Sequence, residues 1–485
     1  MRTRSEIAAT TKAGVIGPLP AQKITSWREA GPRLYVLLVI VWFLQLFAPH
    51  KLIQYFVAAA QPLTWVPELL LWICGILWLR DRAPKRGFPA HTRFMLLFLF
   101  GTVVAYFHGQ WGLARVVDRQ MYQYWLLGLV TLTVCDRYSR VRPILALYFG
   151  YFLWYGIWGI VSLKTSPLGA VEDTSQRIIV FWHRDYDNRD AFGPLMVAGL
   201  AYSIYYLQAN RAVMTRGRSF LGYLSMALCA TGFVTSFGRG AFVAFLVVGA
   251  SMWIRSKRKL AILRAVAIIV AVALLSMPSL VDRYVETMRS ITEQGTKSGT
   301  GADRADLWGI AWREFISSPL IGKGTDNFGA GAATVLLPGE VTPGGYTAGR
   351  LWGRAVHSAP MTIIAEYGLL GVMVAVGLLL DFFRTNRRIR RHASAAADPD
   401  GTQTGEFPPG YVGAMALALH AAFLTYCVSG IFYEIIYTPL FWNVVALNRM
   451  LYYASGASAR FENKRSWALP GARSIGRESV AASPR

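Results

Sequence analysis

Long runs of apolar residues alternate with short polar connections along most of the chain. A helix that crosses a bilayer needs about 20 mostly apolar residues, and about twelve runs come close to that length. We therefore predict an all-α polytopic membrane protein with about twelve transmembrane helices and one large periplasmic loop domain. The predicted spans are residues 33–49, 62–79, 94–109, 114–135, 143–163, 191–208, 219–236, 239–254, 260–278, 358–383, 411–430 and 434–453.

The composition supports this class of protein. Hydrophobic residues make up 54% of the 485 residues and charged residues 16%, whereas a soluble domain carries about 25% charged residues. All four cysteines fall within predicted spans, so the sequence indicates neither an exported disulfide framework nor a cysteine metal site. Residues 1–32 are polar and basic and lead directly into the first span, which predicts an uncleaved anchor.

Lysine and arginine are concentrated in every second connection between the predicted spans. Cytoplasmic loops hold this excess in membrane proteins, so the pattern predicts that both termini are cytoplasmic. The loop at 279–357 carries eight basic and eight acidic residues, and this neutrality predicts a periplasmic position. The basic connections are residues 80–86, 137–142, 211–218, 255–259 and 384–391.

These patterns divide the chain into five parts. The predicted parts are a cytoplasmic tail (1–32), transmembrane helices one to nine (33–278), a periplasmic loop domain (279–357), transmembrane helices ten to twelve (358–453) and a second cytoplasmic tail (454–485). The net charge of +23 then reflects topology and affinity for anionic lipid heads. Nucleic-acid binding is the weaker interpretation, because no compact basic domain would carry it.

Two arginines stand in the outer part of span four. Arg115 and Arg119 are one helical turn apart on one face, with Asp118 beside them. Charges at membrane depth are costly and tend to face a bundle interior or a wet cavity. Two interpretations stay open: an arginine–aspartate pair that reaches to the interface, and an anion-binding site.

Arg239 lies in the tight connection between spans seven and eight. The neighbouring Gly238 and Gly240 permit a short turn, and the guanidinium offers five hydrogen-bond donors at the membrane surface. An arginine that only anchors the helix end explains the pattern as well as a binding residue does.

The loop domain contains an amphipathic helix predicted from Asp303 to Ile316. Asp303 suits the N-cap, and the sequence Ser-Ser-Pro at 317–319 ends the helix. Arg304 then falls in the first turn, where the helix dipole disfavours a cation, so we expect a bound anion beside it. A glycine-rich turn follows at 322–329 but lacks the spacing of a phosphate loop.

His357 stands at the mouth of span ten, before Ser358 as a suitable N-cap and Pro360 in the first turn. From position alone, a hydrogen-bonded structural histidine is the more ordinary interpretation, and catalysis is the alternative. Glu366 lies about 13 Å farther along the helix, too far to orient His357. We expect Glu366 to pair with an arginine inside the bundle.

Several segments together resemble the O-antigen ligase and O-antigen polymerase superfamily. Gly238-Arg239-Gly240 is similar to that family's Arg-Gly element, although Phe237-Gly238 stands where a serine is common before the arginine. The resemblance covers roughly residues 220–450. The other segments that carry it are Arg304 with Leu307-Trp308, the run from Ser318 to Gly329, His357, and the run from Glu366 to Gly371.

The resemblance implies a polyprenyl-phosphate-dependent glycosyltransferase fold that works at the outer face of the bacterial inner membrane, without a metal or other cofactor. Such an enzyme moves a glycan from undecaprenyl diphosphate onto lipid A core, as a ligase, or onto a second lipid-linked glycan, as a polymerase. Arg239 and Arg304 would bind the diphosphate, with Arg115 and Arg119 as additions. His357 would accept or orient the proton of the acceptor hydroxyl. The sequence does not separate ligase from polymerase.

A transporter or flippase for a polysaccharide intermediate is the alternative from another class. Such a protein would use intramembrane charges, for instance Glu366 and Arg119, along a pathway. It would often show repeated halves with broken helices. The sequence shows no internal repeat, and the large exterior loop favours the enzyme.

Overall fold

A computed structural model describes residues 31–107, 121–165, 189–260, 299–396 and 408–458, apart from 82, 84, 237, 257, 258, 344, 352 and 353. All regular secondary structure within these residues is helical. Two 3₁₀ segments, Ala58–Trp65 and Ile435–Tyr437, precede α3 and α15. The α-helices are α1 (Pro32–Phe47), α2 (Pro49–Phe56), α3 (Val66–Arg80), α4 (Pro89–Phe107), α5 (Met121–Val134), α6 (Tyr138–Thr165), α7 (Arg189–Asn210), α8 (Arg216–Ser236), α9 (Arg239–Arg255), α10 (Gly299–Ser317), α11 (Phe328–Val335), α12 (Ala348–Leu351), α13 (Ala359–Ala396), α14 (Pro409–Ser429) and α15 (Pro439–Ala454).

Six helical segments in the described part of the chain are long and apolar enough to cross a membrane, and each coincides with a predicted span. They are Gln61–Arg80, Pro89–Phe107, Tyr138–Val161, Arg216–Ser236, Ala359–Ala395 and Gly410–Ser429. Helices α1, α5, α7, α9 and α15 coincide with five further predicted spans but are shorter or more polar. The predicted span 260–278 lies outside the described residues. In its described residues, the chain is therefore an all-helical polytopic membrane protein, while the number of twelve spans and the domain boundaries stay predictions.

Helix α7 lies at the centre of the bundle. Most of its residues are buried, and it packs chiefly against α8 and α14. Small residues let these helices approach closely: a Cβ added at Gly199 would lie 2.7 Å from a ring carbon of Phe152 and 2.8 Å from Sγ of Cys229. The hydroxyls of Ser203 and Ser225 are 2.9 Å apart and join α7 to α8. The bundle core therefore combines apolar packing with few, buried polar contacts.

The connections rich in arginine and lysine meet at one end of the bundle, which we call the basic end. It comprises the connections at 81–88, 135–137 and 211–215, the C-terminus of α9, and residues 384–391 of α13. This grouping agrees with the alternation of charge along the sequence. Neighbouring helices bind to these parts: Tyr35 Oη donates to the carbonyl of Arg140 (3.3 Å), Tyr453 Oη donates to the carbonyl of Gly87 (3.1 Å), and Arg255 Nη2 lies 3.2 Å from His420 Nε2.

A second, smaller core lies at the opposite end of the bundle, which we call the site end. The sequence predicts an apolar stripe of Leu307, Ile310, Ala311 and Phe315 on α10. The first three pack into this core with residues of α11 and α12, whereas Phe315 is only partly buried and does not belong to it. The helix stops at Ser317, as predicted from the following proline. Its predicted start was wrong: α10 begins at Gly299, so Asp303 lies inside the helix rather than at its N-cap.

Candidate functional site

The chain between α10 and α11 inserts between α4 and α13. We call residues 318–327 the turn segment. Its backbone pairs with α13, since the amide of Lys323 donates to the carbonyl of Ala365 and the amide of Gly324 to that of Glu366, both at 2.9 Å. On the other side, the amide of Thr325 donates to the carbonyl of Gly101 in α4 at 3.0 Å. The turn segment is thus bound to two membrane helices by backbone hydrogen bonds.

Helix α13 is broken where the turn segment meets it. Gly368 has φ 59° and ψ −151°, outside the helical region. A break leaves backbone groups without helical partners, and inside a membrane such groups need partners from the protein. The turn segment supplies them: the amides of Leu369 and Leu370 donate to the carbonyls of Pro319 and Leu320, at 2.8 and 3.1 Å.

Glycine is required at two positions of the turn segment. Gly322 and Gly324 have φ of 69° and 99°, a region that residues with a Cβ adopt rarely. A Cβ at Gly322 would lie 2.3 Å from the backbone carbon of Glu366, and one at Gly324 would lie 2.3 Å from the backbone nitrogen of Ala105. The glycine-rich stretch therefore serves close backbone approach, and the sequence-based rejection of a phosphate loop agrees with this geometry.

A buried polar cluster lies behind the turn segment. The carboxylate of Glu366 accepts hydrogen bonds from the hydroxyl of Tyr437 and, at 2.9 Å, from the amide of Asp326. The hydroxyl of Tyr367 is 2.9 Å from that of Tyr437 and 3.1 Å from that of Thr325. The predicted pairing of Glu366 with an arginine was wrong, because a tyrosine and a backbone amide from distant segments already satisfy this carboxylate.

Glu314, in the last turns of α10, is buried close to this cluster. Its carboxylate approaches Gly331 of α11 so closely that a Cβ there would lie 2.8 Å from Oε1. Burial, reinforced by the charge of Glu366 and opposed by Lys323, raises the pKa of Glu314 to about 10. Glu314 therefore holds a proton at neutral pH, and the site end contains a neutral carboxylic acid.

His357 adopts a left-handed backbone conformation, with φ 55°. This region costs a residue with a Cβ about 1–3 kcal/mol and persists only where the surroundings fix it. The neighbours of His357 are fixed: the amide of Val356 donates to Oε1 of Glu434 at 2.8 Å, and the amide of Ala359 donates to the carbonyl of Gly430 at 2.7 Å. The strained turn thus presents the imidazole from a rigid frame.

Ser358 and Thr362 complete this frame at the start of α13. The hydroxyl of Ser358 accepts from the amide of Met361 at 3.4 Å, so the predicted N-cap is confirmed. The hydroxyl of Thr362 is 3.1 Å from the same Oε1 of Glu434 that binds Val356. Glu434 therefore joins both sides of the His357 turn to the connection between α14 and α15.

Arg304 forms an ion pair with Asp190 in the first turn of α7, with Nη2 2.9 Å from Oδ2. Both side chains are largely buried, with 19% and 14% of their surface exposed. Because α10 begins at Gly299, Arg304 is not in its first turn, and the predicted conflict with the helix dipole was wrong. The anion beside Arg304 in the structure is a carboxylate from a distant helix.

Arg239 is the first residue of α9 and is half-buried. The start of α9 packs closely against α7, since a Cβ at Gly193 would lie 2.7 Å from Cβ of Ala241. It also packs against the α14–α15 connection, where a Cβ at Gly240 would lie 3.3 Å from the ring of Phe432. Arg239 therefore lies between the helix that holds Asp190 and the connection that holds Glu434.

The part of the chain that carries Arg239, Arg304 and His357 also matches a known family model. Residues 224–376 match the family model described as O-antigen ligase. The match covers about a third of the chain. No curated protein matches the chain. Together with the apolar helices, this match indicates a bacterial membrane protein of polysaccharide biosynthesis, in agreement with the resemblance.

The matched region contains three of the five predicted site residues, and all three lie within the described residues. Arg239, Arg304 and His357 lie on elements that approach one another at the site end: α10 reaches α7 through the Arg304–Asp190 pair, α7 reaches the start of α9, and α9 and the His357 turn both contact residues 430–434. Arg115 and Arg119 lie outside the described residues.

Sequence reasoning missed two carboxylates that bind Arg304 and the backbone beside His357. Asp190 binds Arg304, and Glu434 binds the backbone beside His357. Both stand at the edge of a predicted span, where an acidic residue is an available signal, but their partners are distant in sequence. Within the described ranges, no three histidine, cysteine or acidic side chains form a group that could hold a metal ion.

Proposed function

We propose that the chain is a membrane glycosyltransferase that transfers a glycan from undecaprenyl diphosphate to an acceptor hydroxyl at the periplasmic face of the bacterial inner membrane. One observation carries the proposal. The elements that bear Arg239, Arg304 and His357 lie in the region that matches the O-antigen ligase model, and they converge at the end of the bundle opposite the basic connections. Since basic connections are typical of the cytoplasmic side, the site end would face the periplasm.

In the proposed reaction, the bond between the anomeric carbon and the diphosphate oxygen breaks while the acceptor oxygen bonds to that carbon. Negative charge develops on the departing diphosphate and must be stabilised. Guanidinium groups do this through paired hydrogen bonds to phosphate oxygens. Arg239 and Arg304 would take this role without a metal ion, and Arg304 keeps donors for it, because Asp190 engages one of its nitrogens.

The acceptor hydroxyl loses its proton as it attacks. An imidazole suits this step, as base or as the group that orients the hydroxyl. The left-handed turn at His357, held by Glu434 and Gly430, would fix the ring relative to the arginines. A catalytic group held rigidly near the reacting atoms lowers the entropy cost of reaching the transition state.

The test is transfer by purified protein in liposomes. An oligosaccharide on undecaprenyl diphosphate is supplied with either lipid A core or a second lipid-linked glycan as acceptor, and the new glycosidic bond is detected by mass spectrometry. Product with the first acceptor identifies a ligase, and product with the second identifies a polymerase. Movement of glycan across the bilayer without a new bond would contradict the proposal and identify a transporter.

Variants assign the residues. We expect His357→Ala, Arg304→Ala and Arg239→Ala to lower the transfer rate by about 100-fold or more, because each removes a proton acceptor or a charge-stabilising donor. Arg313→Ala is the matched control, since Arg313 lies on the same helix as Arg304 but is exposed and paired with Glu340. It should leave the rate within about twofold. Full activity in any of the three site variants would remove that residue from the mechanism.

A further inference from the structure

A pocket lies at the basic end, far from the proposed site of glycan transfer. It has a volume of about 440 Å³ and is formed by α6, α7, α8 and the connection at 211–215. Volumes of 300–1,000 Å³ are usual for small-molecule sites. The residues that line it are Arg142, Pro143, Ala146, Phe149, Tyr206, Asn210, Val213, Met214, Arg218 and Leu221.

The inner wall of the pocket is rigid and aromatic. The rings of Phe149 and Tyr206 stack at 4.4 Å with an angle of 10° between their planes. The side-chain amide of Asn210 is tied to the carbonyl of Tyr206 at 2.9 Å, and the amide of Val213 is tied to the carbonyl of Asn210 at 2.9 Å. The pocket is therefore built from packed and hydrogen-bonded parts of α6 and α7.

The charged groups of the pocket are of one sign. Arg142 and Arg218 both line it, and no acidic side chain does. Among the residues that the structure describes, neither arginine forms an ion pair with a carboxylate. Two guanidinium groups that face one cavity without a carboxylate partner favour an anion there, and phosphate is the anion that guanidinium groups bind best.

One side of the pocket is apolar and continues onto the surface of the bundle. Leu221 and Val213 line the pocket and are 43% and 58% exposed. Beside them on α8, Phe220 is 64% exposed. In a protein that spans a membrane, such exposed side chains contact lipid tails. A ligand of this pocket would therefore need a phosphate and an apolar chain in one molecule.

We propose that this pocket binds an anionic phospholipid, with the phosphate at Arg142 and Arg218 and an acyl chain along Leu221 and Phe220. Basic pockets between membrane helices on the cytoplasmic side are suited to such headgroups, because that leaflet carries anionic lipids. The proposal is independent of glycan transfer, since the pocket and the arginines of the proposed donor site lie at opposite ends of the bundle.

The first experiment uses the full-length protein, delipidated in neutral detergent, and measures its thermal unfolding while a lipid is added. Phosphatidylglycerol should raise the unfolding temperature in a saturable way, because a ligand that binds only the folded state stabilises it. Phosphatidylcholine and inorganic phosphate are the comparison ligands and should have little effect. An equal shift with inorganic phosphate would overturn the lipid assignment, and no saturable shift with phosphatidylglycerol would overturn the site.

Paired variants locate the binding. Each arginine near an anionic lipid surface contributes about fivefold to affinity, so Arg142→Ala with Arg218→Ala should weaken phosphatidylglycerol binding by about 30-fold. Arg211→Ala with Arg216→Ala is the matched control: it removes the same amount of charge at the basic end from residues that do not line the pocket, and should weaken binding by less than about threefold. Equal weakening in both pairs would show diffuse surface attraction and contradict the pocket.

A third variant tests the cavity itself. Ala146→Trp keeps both arginines and fills the space between them and the Phe149–Tyr206 stack. We expect loss of saturable phosphatidylglycerol binding, counted by native mass spectrometry as bound lipids per protein. Retained binding by a folded, monodisperse Ala146→Trp protein would place the lipid elsewhere. If this variant does not fold, the two arginine pairs decide the question alone.

Discussion

The bundle core around α7 and the turn segment at the site end are stabilised in different ways. In the bundle, each helix satisfies its own backbone, and side chains such as Phe192, Met196 and Tyr202 fill the space between helices. In the turn segment, backbone groups of one segment pair with backbone groups of another, across positions where only glycine fits. In the bundle, neighbouring side chains can therefore shift to accommodate a substitution. In the turn segment, a substitution displaces the backbone itself.

This difference bears on the proposed site. The turn segment ties α10, which carries Arg304, to α13, which begins beside His357. A displaced turn segment would change the distance between these two residues, although neither belongs to it. The comparison predicts that substitutions in the turn segment affect activity more than substitutions of equal size in the bundle.

Gly322→Ala should have the largest effect. Gly322 has φ 69°, and the new Cβ would lie 2.3 Å from the backbone carbon of Glu366. The turn segment and α13 cannot move apart without breaking the backbone hydrogen bonds between them. We expect a loss of about 3 kcal/mol or more in the free energy of unfolding, since overpacking and backbone strain add. Transfer activity should fall below detection. Thermal unfolding in detergent and the liposome assay measure both.

Substitutions at two control glycines separate the effect of backbone strain from the effect of steric clash. Gly345 has φ 80° with no atom within 4 Å of an added Cβ, so Gly345→Ala isolates backbone strain and should cost about 1–2 kcal/mol. Gly377, on α13, also has open space and an ordinary φ, so Gly377→Ala should be neutral or slightly stabilising. If Gly322→Ala unfolded at the same temperature as Gly345→Ala, close backbone approach would not be what fixes the turn segment.

Glu434→Ala should have the next largest effect. It leaves the amide of Val356 without its acceptor and removes the contact with Thr362. An unpaired buried donor lowers the free energy of unfolding by about 1–3 kcal/mol. The left-handed turn at His357 would also lose one of the hydrogen bonds that fix its position. We expect kcat to fall by about tenfold or more while KM for the donor changes little, because the arginines stay in place.

Comparing Glu434→Gln with Glu434→Ala distinguishes the role of the acceptor oxygen of Glu434 from that of its charge. The amide oxygen of glutamine can still accept from Val356, so kcat should recover to within about threefold of the wild type. If Glu434→Gln were as inactive as Glu434→Ala, the charge of Glu434 rather than its acceptor oxygen would matter. If both were fully active, Glu434 would not position His357.

The membrane helices could be predicted well from sequence because their signal is local. Predicted spans 219–236 and 411–430 differ by at most three residues from the helical segments Arg216–Ser236 and Gly410–Ser429. Boundaries in the loop domain were less predictable. The sequence offers two residues that suit an N-cap, Ser298 and Asp303, and the structure has α10 from Gly299, so that Asp303 lies within the helix.

The pairing within the candidate site could not be predicted, because it joins distant segments. Arg304 and Asp190 are 114 residues apart, and Glu366 and Tyr437 are 71 apart. No period or spacing connects such residues in one sequence. The sequence did indicate the residue types: Arg304 as an arginine that needs an anion, and Glu366 as a buried carboxylate that needs hydrogen-bond donors. The choice of partner depends on how the helices assemble.

The smallest expected effect concerns Glu314, and its test is the pH dependence of stability. A carboxyl group whose pKa is raised on folding keeps a proton that the unfolded chain has released. The free energy of unfolding therefore falls as pH rises from about 4.5 to about 10, the two values that apply to Glu314. One such group contributes at most about 1.4 kcal/mol per pH unit, and we expect about 1 kcal/mol between pH 6 and 8 because water and local relaxation reduce it.

Glu314→Gln removes this titration while keeping the shape of the neutral acid. The variant should be more stable than the wild type at pH 8, and the difference should shrink toward pH 6. Glu340→Gln is the control. The hydrogen bond from Arg313 lowers the pKa of the Glu340 carboxylate, so its stabilising contribution is already complete above pH 5 and adds no trend in that range. A constant difference between Glu314→Gln and wild type across pH 6–8 would mean that Glu314 is ionised in the folded protein. The site end would then hold a buried negative charge at Glu314, and the positive charge of Lys323 would have to stabilise it.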